Sequence, residues 1–101
     1  MAATETRLHD TIMLTAIDAD WTASDYYNVY SITFIPGAAN DVMVVKEATD
    51  AGVIIFYALS ADADHRTIYY NGARFKPMVD FSDCTLNAGH EVIINLMPRP
   101  R

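Results

Sequence analysis

From Val29 onward, apolar and polar residues alternate with a period of two, and turn-forming residues break the alternation about every ten residues. Successive side chains of a strand point to opposite faces, so each such segment offers one face to a core and one to water. In "VYSITFI" the spacing puts Tyr30, Ile32 and Phe34 on one face and Ser31 and Thr33 on the other. "PGAAND" breaks the run, and "VMVVKEA", "TDAG" and "VIIFYALS" follow. Asn71-Gly72 reads as a hairpin turn, because both residues tolerate positive φ. "ARFKPMVDF" alternates with Phe75, Val79 and Phe81 inward and Arg74, Lys76 and Asp80 outward. Its Pro77 cannot donate to a ladder, which predicts an edge strand or a bulge there. "VIINLM" turns Val92, Ile94 and Leu96 to one face.

Before Val29 the signal is weaker. "TIMLTAI", residues 11–17, is a short β-prone run, and "DADWTASDYYN" is a polar connection around Trp21. The pattern predicts an all-β domain: a small antiparallel β-sandwich or partly closed barrel of about six to eight strands. The expected plan is an N-terminal arm over residues 1–10, the sandwich over 11–97 and a C-terminal tail over 98–101.

Two segments depart from alternation. Val42, Met43, Val44 and Val45 are apolar on both faces, and so is the run from Val53 to Leu59. In a parallel sheet helices would cover both faces, but no helical segment is present to do so. A two-layer domain has one interior. The outward residues therefore lie under loops or meet another chain, and a subunit or partner interface is the favoured expectation. Val42, Met43, Val44, Ile54 and Phe56 are its candidate residues, although alternation does not say which parity faces outward.

Composition narrows the partners. Thirteen acidic residues against seven basic ones give a net charge of −6. Such a balance disfavours a nucleic-acid partner, which needs Lys and Arg clustered on one face. Cys84 is the only cysteine, so an internal disulfide and cysteine-rich zinc patterns are excluded. Nothing in the spacing sets His9, His65 or His90 beside it as a base, and a structural thiol is expected. Charges in Met1–Asp10 stand where a signal peptide needs an apolar core, and no segment approaches membrane-spanning length. A reducing, aqueous compartment is the expected place of synthesis.

"SADADHR", residues 60–66, gathers Asp62, Asp64 and His65 and looks most like a site. A calcium loop would need a turn glycine and a downstream bidentate acid, and zinc would need further ligands. After Arg66 the chain runs straight into "TIYY", so the stretch reads as a solvated loop. Trp21, Tyr26, Tyr27 and Tyr30 form a candidate sugar-stacking platform, the alternative to core or interface aromatics. No Ser–His–Asp order, glycine-rich phosphate loop or nucleophile elbow appears, and no enzyme is expected.

One resemblance covers about two-thirds of the chain, Val29 to Leu96. "VYSITFIPGAANDVMVVKEA", then "GVIIFYALSADADHR", then "ARFKPMVDFSDCTLNAGHEVIINL" resembles small β-sandwich proteins encoded among the structural genes of tailed bacteriophages. Among these are capsid decoration, or cement, proteins that sit on an HK97-like shell, often as trimers. The resemblance implies a structural virion protein on the outer capsid surface, made in the host cytoplasm. Its implied partners are the major capsid protein and further copies of itself, as a homotrimer, with no nucleic acid and no membrane. It implies no catalytic residue, cofactor or metal. Under it, Arg99 and Arg101 of the proline-stiffened "PRPR" are candidate contacts to capsid carboxylates. A phage tail or head–tail joining protein, or a carbohydrate-binding β-sandwich module, is the alternative.

Overall fold

The structure, a computed structural model, describes residues 3–98. It is all-β. Nine strands follow in chain order: β1 (Thr4–Leu8), β2 (Thr11–Thr15), β3 (Trp21–Thr22), β4 (Tyr27–Ile35), β5 (Asp41–Glu47), β6 (Ile54–Ser60), β7 (Arg66–Phe75), β8 (Pro77–Val79) and β9 (Glu91–Leu96). They form two antiparallel sheets, β1-β2-β9-β4-β7 and β3-β8-β5-β6, packed face to face rather than closed into a barrel. One short 3-10 turn, Phe81–Asp83, follows β8.

The core lies between the sheets. Ile12, Leu14, Val29, Ile32, Phe34, Val92 and Ile94 come from the five-stranded sheet, and Met43, Val45, Phe56, Ala58 and Val79 from the other. Each large apolar side chain fully buried there contributes roughly 1.5–3 kcal/mol through area removed from water. On the outward face of the larger sheet, Asn95 donates to Ser31 Oγ at 3.1 Å and Thr11 donates to Asn95 at 3.3 Å.

Several expectations need correction. Residues 4–8 are no free arm: β1 pairs with β2 from Thr4↔Thr15 to Leu8↔Thr11, with His9 at φ 46° in the connecting turn. All five residues of β1 are exposed, so "TETRL" shows no apolar face, and backbone pairing holds it. Tyr30 does not share a face with Ile32 and Phe34. It is the extra residue of a β-bulge, since Val29 pairs with Leu96 and Ser31 with Asn95, and Val29 takes its place inside.

Asn71-Gly72 makes no hairpin. Both residues have positive φ, 53° and 96°, but they bulge within one continuous strand, β7, opposite Tyr30. Pro77 lies neither at an edge nor in a bulge. The chain crosses from one sheet to the other between Phe75 and Pro77, and Pro77 opens β8, a strand flanked by β3 and β5. A first strand position tolerates the missing N–H. Val79, beyond the crossing, faces the core as spaced, but the alternation ends at the 3-10 turn, where Asp80 is buried and Phe81 is exposed.

Candidate functional site

The two strands without alternation have different fates. Along β5, Met43 and Val45 face the core while Val44, only 3% exposed, is buried outside that core cluster. The chain that leaves β8 runs back along β5. Asp80 N–H donates to Val44 O, and Val42 and Thr85 exchange backbone hydrogen bonds at 2.8 and 2.9 Å. Next along β5, Lys46 Nζ bonds Asp80 at 2.7 Å and Asp83 at 2.9 Å, with Asp50 O at 3.0 Å. Those bonds hold the Lys46 ammonium well above its usual range and, with Ser82, the Asp80 carboxyl below its own. A loop and an ion cluster therefore cover the outer side of β5.

β6 has no such cover. Phe56, Ala58 and Ser60 are buried, whereas Ile54, Tyr57 and Leu59 are 55%, 56% and 46% exposed. Val53, just before the strand, is exposed as well. A row of large apolar side chains thus stands in water along a terminal strand of the smaller sheet. The neighbouring edge, β7, adds Ile68 and Tyr69, with Tyr69 packed edge-to-face on Tyr30 at 5.6 Å. Tyr70 ties the two edges by donating to Ile55 O, and burial pushes its hydroxyl up to about 12.

The candidate interface residues accordingly divide. Met43, Val44 and Phe56 are buried within the chain and offer nothing to a partner; Val42 is half-buried beside Thr85; Ile54 is exposed. Arg99 and Arg101 lie outside the described residues. Tyr57 and Leu59 were missed as outward residues because a bulge at Ile55, between Val45↔Phe56 and Lys46↔Ile54, resets the parity of β6.

The other candidates resolve on geometry. Asp62, Asp64 and His65 are exposed in the connection between β6 and β7. Among the described residues no group of three or more His, Cys, Asp or Glu is placed to hold a metal ion. Trp21 is no stacking platform: it is buried in the core, and its indole N–H donates to Glu5 at 3.0 Å. Tyr27 lies instead under the Arg7 guanidinium, 5.0 Å from its ring centre. Tyr26, Tyr27, Arg7, Arg74, Asp10 and Asp25 line a shallow cleft of about 320 Å³. Its cations are already engaged, Arg7 with Tyr27 and Arg74 with Asn28. Burial pushes the Cys84 thiol up to about 11, so it is a protonated thiol at neutral pH, held by Val44 N–H and Asp80 O.

Two further polar residues organise loops that sequence reasoning passed over. Asp41 is fully buried and accepts from the N–H groups of Gly37 (2.8 Å), Ala38 (3.3 Å) and Asn87 (3.2 Å), and from the Asn87 amide. Burial pushes its carboxyl up, but those donors together outweigh burial and hold it below the usual range. His90 accepts from Ile17 N–H at Nε2, so its Nδ1 carries the proton donated to Asn87 O. "ND" and "NAGH" carried that signal only as turn residues.

These features define a loop-tied β-sandwich with one uncovered apolar flank. No family model, no curated protein and no solved structure gives a significant match to the chain.

Proposed function

We propose that this chain is a structural binding module, acting by docking rather than by catalysis, and specifically a decoration protein on the outer surface of an HK97-like phage shell. The observation that supports docking is the exposed row of Ile54, Tyr57 and Leu59 along one strand. The capsid as partner rests on the resemblance of residues 29–96 to small phage β-sandwich proteins. A module of this kind stabilises an assembled shell because it binds only the assembled state, and many weak attachments add up. The test is to mix the protein with expanded shells that lack decoration. Saturable binding that raises the temperature of shell disassembly is expected. Shells that remain bare at micromolar protein, with an unchanged melting profile, overturn the capsid reading.

A further inference from the structure

Among the described residues four strands are terminal, β1 and β7 in one sheet and β3 and β6 in the other. A free edge presents unpaired backbone N–H and C=O groups, and folded proteins blunt such edges with charge, shortness or bulges. β1 carries Glu5 and Arg7. β3 is two residues long. β7 is bracketed by Arg66 and Arg74 and interrupted by the bulge at residues 70–72. β6, "IIFYALS", carries no charge, proline or glycine; its one bulge, at Ile55 near its start, is also where the Tyr70 hydroxyl reaches the backbone. From Phe56 to Ser60 its register against β5 is unbroken.

We infer that β6 is a self-association edge, and that two copies of this chain pair β6 to β6 antiparallel across a twofold axis. A strand edge is satisfied only by another strand, because its donors and acceptors recur along the backbone. The occupant is a second copy because Phe56–Ser60 of β6 is the one uncharged edge segment in continuous register that the described residues offer in return. Pairing joins two four-stranded sheets into one of eight strands. It also brings the outward rows of Ile54, Tyr57 and Leu59 together on one face, removing apolar surface from water. A seam without charge suits two bodies that each carry −6. The inference shares with the proposed function only the reading of this flank as a docking surface, and it requires no capsid.

Sedimentation equilibrium of the purified full chain tests it. A reversible dimer is expected at micromolar concentration. Tyr57→Lys and Leu59→Lys each place a charge in the seam from an outward position, and each should weaken dimerisation by roughly a hundredfold or more. Tyr30→Lys, on the other sheet, should leave it unchanged. If the Lys variants do not fold, Tyr57→Ser and Leu59→Ser remove apolar area without adding charge and should still weaken the dimer measurably. A wild-type monomer, a trimer, or a dimer indifferent to folded variants at both positions overturns the inference. Failure of capsid binding alongside an intact dimer counts against the proposed function alone.

Discussion

Asp41 ties the loop before β5 to the loop before β9 through a single carboxylate, and its chemistry sets how the fold responds to acid. Replacement by Ala leaves the N–H groups of Gly37, Ala38 and Asn87 without their acceptor and is expected to cost about 1–3 kcal/mol, read as a shift in a urea midpoint. Its depressed folded-state value, like that of Asp80, contributes stability that is present above the ordinary carboxylate range near pH 4. That stability is lost as pH falls through the folded-state values. Lys46 works in the opposite sense, with stability present below about pH 10 and lost as pH rises through its raised value. Chemical denaturation from about pH 2 to 7, which spans the carboxylate range, should show stability falling only at the acid end, and Asp41→Ala should flatten that fall. Gly37 belongs to the same loop: a Cβ there would lie 2.4 Å from the carbonyl oxygens of Asn87 and Ala88, so Gly37→Ala should destabilise by a similar mechanism of loop displacement. Cys84, protonated and half-buried, should react with iodoacetamide at pH 7 more slowly than in the urea-unfolded chain. None of these partnerships was legible in the sequence, because Asp41 and Asn87 meet only after strands distant in the chain have paired.

At the scale of elements, period-two patterning was sufficient for most strands and failed where a bulge inserts one residue or a turn ends the strand. β9 runs without interruption, and Val92, Ile94 and Leu96 face inward as spaced. β4 and β6 each contain one extra residue, Tyr30 and Ile55: in β4 Ile32 and Phe34 face inward as spaced while Tyr30 does not, and in β6 Ile54 and Phe56 fall on opposite faces. β1 was invisible because a strand exposed on both faces carries no hydrophobic signature. The apolar runs at residues 42–45 and 53–59 correctly marked outer faces needing cover, yet sequence alone did not reveal that Asp80–Thr85 supplies it for β5 only. Parity within β6 gives a direct check. Leu59→Lys should remain folded by circular dichroism, with a loss within about 1 kcal/mol, whereas Phe56→Lys places a charge in the core and should abolish cooperative unfolding.

At the scale of the whole molecule, an acidic body meets its own copy through an uncharged strand. Two bodies of like charge repel, and salt screens that repulsion while leaving apolar contact intact. Self-association should therefore tighten between low and moderate salt, measured by sedimentation, whereas contacts built on arginine–carboxylate pairs would loosen. The central claim is that β6 is the edge through which this chain docks. Amide hydrogen exchange, followed residue by residue over a dilution series, tests it most directly. Exchange at Tyr57 to Ser60 should slow as concentration rises, with β1 and β9 unchanged. Rates along β6 that are independent of concentration, while sedimentation shows association, would contradict it and move the contact elsewhere.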